Sequence, residues 1–178
     1  MAEAFSNSTK GAVGIITTNS SVAVVGIAST TITGISTVGV GVSDLVINQH
    51  FRGGTKVYSI GAGLVTCTKS STNTTTATGQ DVDFLGPTTA YTSSAKSILI
   101  GGTFSNLTGN EVKIWAELFD QSLTTTTMIA NDIPVPSGSS FVITDAGKTV
   151  METSDEIVVY SNTAAAVDVT LSVLTGVS

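Results

Sequence analysis

One histidine, one cysteine, one tryptophan and one arginine are spread over 178 residues, and prolines number three. A single His and a single Cys remove nearly every metal-site and thiol-chemistry constellation, since structural and catalytic metal centres draw three or four ligands from these types and from carboxylates. Cys67 has no partner for an internal disulfide, which fits a reducing compartment, and its alternating context Leu64-Val65-Thr66-Cys67-Thr68-Lys69 reads as a small apolar residue in a strand. Only 11% of residues are charged, and 7 Lys+Arg stand against 13 Asp+Glu, a formal net charge of -6. Seven cations scattered singly cannot neutralise a run of phosphates, so no nucleic-acid partner is expected. No window approaches 18 uninterrupted apolar residues, and the N-terminus shows no basic segment followed by an apolar one. No membrane span and no secretory leader are expected, with assembly in a cytoplasm. Hydrophobic residues nevertheless make up 41%, which argues against intrinsic disorder.

What the chain has in abundance is Thr and Ser, roughly 29% together, with 18 Gly and many Val and Ile. Branched Cβ atoms pack well on a pleated surface and lose rotamer freedom in a helix, so this composition favours strands. Strands are expected near Ala12-Thr18, Ser21-Ala28, Thr31-Ser36, Asp44-Asn48, Thr55-Gly61, Leu64-Lys69 and Gln80-Leu85. A second series is expected at Lys96-Phe104, Glu111-Phe119, Thr126-Ile133, Ser139-Thr144, Glu156-Ser161 and Val167-Leu174. No segment carries a 3.6-residue apolar period. In Val112–Phe119, Val112, Ile114, Ala116 and Leu118 alternate with Lys113, Trp115, Glu117 and Phe119, the pattern of a buried strand with Trp115 on one face.

The expected fold is all-β in two small domains. Residues 1–87 read as a Gly/Thr-rich N-terminal domain, a small barrel or roll, with a short arm over 1–11. Residues 88–178 read as a C-terminal antiparallel sandwich, jelly-roll-like or Ig-like. The boundary falls in Leu85–Ser94, where Gly86-Pro87 precedes a Thr/Ser run. Halves this small have marginal cores, and a homo-oligomer would bury more apolar surface at about 25 cal/mol per Å².

Candidate chemistry is sparse. His50-Phe51-Arg52-Gly53-Gly54 gathers an imidazole, a guanidinium and a flexible loop, with Ser43 and Asp44 upstream; a catalytic His needs a nucleophile and an orienting carboxylate, and the alternative is a polar turn at a strand end. Arg52 is also suited to an ion pair with a neighbouring subunit. Asp81 and Asp83, two residues apart, would share one strand face and offer oxygens to a cation such as Ca²⁺, which takes six to eight; no third acid is near, and solvated surface charge is the preferred reading. Glu152, Asp155 and Glu156 punctuate the turn before Ile157-Val158-Val159-Tyr160. Gly53-Gly54-Thr55-Lys56 and Gly61-Ala62-Gly63 lack the order and the following helix of a phosphate loop. Four Asn-x-Ser/Thr matches, at Asn7, Asn19, Asn73 and Asn106, are near chance in so Thr-rich a chain. No catalytic, cofactor or metal residue is therefore assigned, and no enzyme is expected.

The segments Val24-Val-Gly-Ile27, Thr31-Ile-Thr-Gly-Ile-Ser-Thr-Val-Gly39-Val, Asp44-Leu-Val-Ile, Gly54-Thr-Lys-Val-Tyr-Ser-Ile-Gly-Ala-Gly63 and Ser71-Thr-Asn-Thr-Thr75 together resemble a β module of virion proteins of tailed bacteriophages, notably marine cyanobacterial phages. The marks Ile133-Pro-Val-Pro-Ser-Gly-Ser-Ser-Phe141, Gly147-Lys148, Asp155-Glu-Ile-Val-Val-Tyr160 and Val167-Asp-Val-Thr-Leu-Ser-Val173 are similar to a second module of the same proteins. The resemblance implies a structural virion protein with no catalytic residues to carry over. Its partners would be the major capsid protein or tail proteins, and its place the virion. A capsid decoration (cement) subunit is the first expectation and a tail, baseplate or fibre-attachment protein the second. A glycan-binding module using Trp115, Tyr91 or the Thr-rich segments 74–76 and 124–127 is a more remote third.

Overall fold

A computed structural model describes residues 3–143 and 149–177 of the chain. Among the described residues the regular structure is all strand, fifteen in number, and no helix is long and apolar enough to cross a membrane. The fold divides into two compact units: Ile15–Pro87, and the segments before Ile15 and after Pro87 taken together.

The second of these holds β1 (Ala4–Val13), β8 (Thr88–Thr92), β9 (Ser97–Asn106), β10 (Val112–Asp120), β11 (Thr125–Val135), β12 (Ser140–Ile143), β13 (Thr149–Met151), β14 (Glu156–Ser161) and β15 (Val167–Thr175). One sheet runs β1-β15-β9-β12, with β13 also on β9, and the other runs β11-β10-β14-β8. Every pairing is antiparallel. The pairs β1–β15, β8–β14, β9 with β12 and β13, and β10–β11 are successive rungs of one long hairpin rolled into two sheets. That is jelly-roll connectivity and not the immunoglobulin order. β12 and β13 share the length of β9, with Phe141 opposite Phe104 and Val150 opposite Ile98.

The two-residue period dictates the core. On β15, Val167, Val169, Leu171 and Val173 are buried while Asp168 and Thr170 are exposed. They meet Phe104 and Leu99 of β9 and, from the facing sheet, Val112, Ile114 and Ala116 of β10 with Ile157 and Val159 of β14. The opposite face of β10 and β14 is also buried at Trp115, Glu117, Val158 and Tyr160, and the Tyr160 hydroxyl donates to Glu117 Oε1 at 2.7 Å. Gly101-Gly102 in β9 sits where the ladder to β15 shifts register after Ser172. A Cβ on Gly101 would lie 2.8 Å from the Ile143 carbonyl oxygen, and one on Gly102 would lie 2.7 Å from Leu171 Cδ2, so side chains there would push β12 and β15 away.

The Ile15–Pro87 unit holds β2 (Ile15–Val25), β3 (Thr31–Thr33), β4 (Leu45–Ile47), β5 (Val57–Gly61), β6 (Leu64–Cys67) and β7 (Ala77–Gly86) in one sheet ordered β4-β7-β2-β3-β6-β5. Its core gathers Val25, Ile32, Val46, Phe51, Val65 and Phe84. The sheet is a roll and not the barrel that was the other expectation. Its outer strands meet through the Leu45–Lys56 bridge and the Ser43 N to Val57 O, Val57 N to Asp44 O and Val46 N to Thr55 O bonds. The segment between them turns tightly, with Gly54 at φ 70°, so no longer ladder forms. Cys67 is buried, and burial pushes its thiol up to about 12. A thiol reagent at about pH 8 is therefore expected to leave the native chain unlabelled and to label one site after denaturation; rapid native labelling would contradict this burial.

Four expectations need correction. The predicted arm over 1–11 is not part of the first domain: β1 is a full strand of the jelly roll, held to β15 by the register Ala4↔Thr175 through Lys10↔Val169. The predicted strand Ala12–Thr18 is cut at Gly14, where one unit ends and the other begins. The Thr/Ser run taken as linker contains β8, and β13 was not foreseen. Of the expected Ser139–Thr144 strand, Ser140–Ile143 forms β12; Thr144 and the Gly147-Lys148 mark lie outside the described residues.

Candidate functional site

The polar side chains cluster at loops, and at each end of the jelly roll a buried polar side chain ties several loops together. At one end Asn106, 6% exposed, closes β9. Its Nδ2 donates to the carbonyls of Asn110 (2.7 Å), Val135 (2.9 Å) and Pro136 (3.1 Å). Its Oδ1 accepts from Thr108 N at 2.8 Å and Thr108 Oγ1 at 2.9 Å. The β9–β10 and β11–β12 loops are thereby tied to one amide. At the other end Asp155, 3% exposed, accepts from Gln121 N (3.0 Å) and Glu152 N (2.8 Å), while its own carbonyl accepts from Ser93 N at 2.8 Å. Three loops, β8–β9, β10–β11 and β13–β14, converge on it. The acidic turn read as strand punctuation is thus organised by Asp155; Glu152 is exposed and pairs loosely with Lys96 at 3.8 Å.

In the roll, His50 follows β4 in a turn made by Asn48, whose Oδ1 accepts from His50 N at 2.9 Å. Thr72 N and Oγ1 both donate to the His50 carbonyl. The ring nitrogen Nε2 lies 3.2 Å from Gln80 Oε1, which also accepts from Gln49 Nε2 at 2.7 Å. The imidazole faces an amide, and among the described residues no carboxylate is hydrogen-bonded to it. Asp44, the acid expected upstream, spends its carboxylate on Gly41 N at 2.7 Å. Arg52 is exposed, and its carbonyl accepts from Thr55 N and Oγ1. The Gly53 carbonyl accepts from Lys69 Nζ at 2.8 Å.

Asp81 and Asp83 do share a strand, β7, and edge a groove of about 480 Å³ with Asn48, Gln49 and Gln80. Asp81 Oδ1 is already engaged by Ser21 N at 2.6 Å. Ser21 sits in the left-handed region at φ 55°, inside the bulge of β2 between Asn19 and Ala23. β1 repeats the device: Ala12, φ 55°, donates its N–H to Asp168 Oδ1 at 2.9 Å beside the Lys10/Val13 register shift. Each carboxylate fastens a bulge on the neighbouring strand. Among the described residues no group of three or more His, Cys, Asp or Glu is arranged to hold a metal ion. Trp115 is 2% exposed, so its ring is closed off from a sugar, and Tyr91 is half-buried against the jelly-roll core. The Thr-rich segments 74–76 and 124–127 are exposed loops and strand ends.

Asp44 carries a testable electrostatic consequence. It is 5% exposed, and burial, partly offset by the Gly41 N–H, raises its carboxyl above the ordinary carboxylate range. A raised folded-state value means the folded chain holds the proton more tightly. This contribution to stability is therefore full below the unfolded carboxylate value and lost as pH rises through the folded one. Asp44→Asn keeps an acceptor for Gly41 and removes the charge. We expect the variant to melt above the parent at neutral pH and the advantage to vanish in acid; a variant less stable at every pH would show that the ionised carboxylate is needed.

The asparagines are what sequence reasoning missed. Asn19 Oδ1 accepts from Ser36 N at 2.7 Å and its Nδ2 donates to Ser36 O at 3.1 Å, replacing a strand partner. Asn73 Nδ2 donates to the carbonyls of Val25 and Thr75. Three of the four Asn-x-Ser/Thr matches are therefore backbone clamps. Of the three only Asn106 left the local trace of an Asx turn, in which its Oδ1 accepts from Thr108 N; the partners of Asn19 and the Val25 partner of Asn73 lie far along the chain. Comparison with known proteins returns no matching family model, no matching curated protein and no matching solved structure, so the chain's chemistry has to be argued from its own residues.

Proposed function

We propose that this chain is a non-enzymatic structural protein of a tailed-phage virion, a decoration subunit that binds the outer shell after assembly in the host cytoplasm. The observation that carries the reading is how the candidate residues are used. Asp44, Asp81, Asp155, Asn106 and the His50 turn bind backbone groups of turns and bulges, so the polar inventory is spent on fastening the fold. A long-lived particle component needs hydrogen-bonded sheets and inert side chains, and a free Cys held buried and protonated agrees with that need. Jelly rolls serve viral shells as well as lectins and cupins, so connectivity supports the reading without choosing it. The burial of Trp115 weighs against the glycan-binding alternative.

The test is imaging of particles with the protein present and absent, together with its copy number. Density lost over the shell, at a copy number near that of the major capsid protein, supports decoration. Loss confined to the tail, at a handful of copies, replaces it with the tail or fibre-attachment reading. Unaltered particles that never contain the chain overturn both.

A further inference from the structure

The sheet edges of this protein are guarded unequally. β11 is an edge strand, but it carries Pro134, a left-handed Asp132 at φ 56° and two register shifts against β10. The edge beyond β9 is split into the short strands β12 and β13, and β8 is five residues long with a shift of its own. β4 and β5, the outer strands of the roll, are bridged to each other. β1 carries such devices only at its far end, the left-handed Ala12 and the Lys10/Val13 register shift. From Ala4 to Lys10 it runs in unbroken register on β15, with no proline and no charge before Lys10, and it is exposed along almost its whole length. An edge of this kind is a template for another strand.

One further feature selects the strand that fits. Phe5, 78% exposed, begins an apolar row across the outer face of its sheet: its register partner is Leu174, whose partner is Ile98, whose partner is Val150. A strand added beside β1 would lie along the open side of Phe5 and continue that row. Antiparallel pairing of the segment with itself about Phe5 sets the two Phe5 side chains side by side on the outer face and carries the apolar row unbroken across the join. Self-pairing about a two-fold axis is also the commonest closed assembly.

We propose that β1 pairs antiparallel with β1 of a second copy, joining two jelly-roll sheets into one continuous sheet across a two-fold axis. The inference does not depend on the virion reading. It is tested by measuring the mass of the full chain in solution across a concentration series, with amide exchange followed over residues 4–10. The expected result is a species of twice 18.0 kDa whose β1 amides become protected as it forms.

Amides along an antiparallel strand point alternately to its two sides. Of Ser6→Pro and Asn7→Pro, one therefore loses only an outward N–H, and that variant is expected to stay folded and return to 18.0 kDa. Phe5→Glu, on the exposed row, is expected to do the same without touching the β15 ladder. A parent that stays at 18.0 kDa at its highest soluble concentration overturns the proposal. So does a dimer that ignores Phe5→Glu and leaves the β1 amides unprotected.

Discussion

Asn106→Asp is expected to cost the jelly roll about 3–5 kcal/mol at neutral pH, the range for an uncompensated buried charge. The two side chains have the same shape, so packing is unchanged. What changes is that an oxygen replaces the Nδ2 that lies 2.7, 2.9 and 3.1 Å from three carbonyl oxygens. Three donor–acceptor contacts become three repulsions, in a site where Asn106 is 6% exposed. The pH dependence distinguishes this from simple loss of contacts. A carboxyl buried against carbonyls has its folded-state value raised, so the folded variant takes up a proton more readily than the unfolded one, and its deficit relative to the parent shrinks as pH falls through the carboxylate range. Once protonated, the acid can donate to one of those carbonyls. Urea melts of parent, Asn106→Asp and Asn106→Ala at neutral and acidic pH make the comparison; a deficit for Asn106→Asp as flat with pH as that of Asn106→Ala would refute the clamp.

Gly14→Ala is expected to be at least as damaging, about 4 kcal/mol or more, with loss of soluble folded protein. Gly14 has φ +133°, a region L side chains rarely adopt, and a Cβ there would lie 2.0 Å from the Thr163 carbonyl oxygen and 3.0 Å from Ala165 N. Both obstacles are backbone atoms, fixed because Ala165 N donates to Gly14 O at 3.0 Å and Ala166 N to Val13 O at 2.9 Å. No rotamer change can relieve the overlap, so β1 and the loop before β15 must part. Gly109→Ala is the control: nothing lies within 4 Å of its added Cβ, and a change within about 0.5 kcal/mol is expected. Equal melting of the two variants would mean that the close approach at Gly14 does not exist in solution.

These two positions show where reading the sequence stopped. Gly14 stood in a segment that read as one continuous strand, and Asn106 stood in a chance-level match to a glycosylation pattern. The decisive partners of each are brought in from elsewhere: Thr163 for Gly14, and Val135 and Pro136 for Asn106, whose local turn with Thr108 does not reveal them. By contrast β10, β14 and β15 were legible within a residue or two: β15 keeps the two-residue period of a surface buried on one face, while β14 and the middle of β10, buried on both faces, leave short runs of branched and aromatic side chains. The Asp81/Asp83 pair was placed correctly on one strand, but its use as a bulge fastener depended on Ser21, sixty residues earlier.

β1 is the clearest division of labour. Its sequence, Ala-Phe-Ser-Asn-Ser-Thr-Lys-Gly-Ala-Val, carries no apolar period, because an edge strand with an open side needs little burial to stay in place. What holds it is hydrogen bonding to β15, including Thr175 Oγ1 to the Ala4 carbonyl across 171 residues of chain. Composition and alternation by themselves determined that this protein is antiparallel sheet with a Val- and Ile-lined interior, since branched side chains favour the pleat wherever they occur. The tertiary structure alone decided that the first strand and the last belong side by side, with the Ile15–Pro87 unit inserted between β1 and β8, because strand partners are chosen by backbone hydrogen bonds that every residue but proline offers alike.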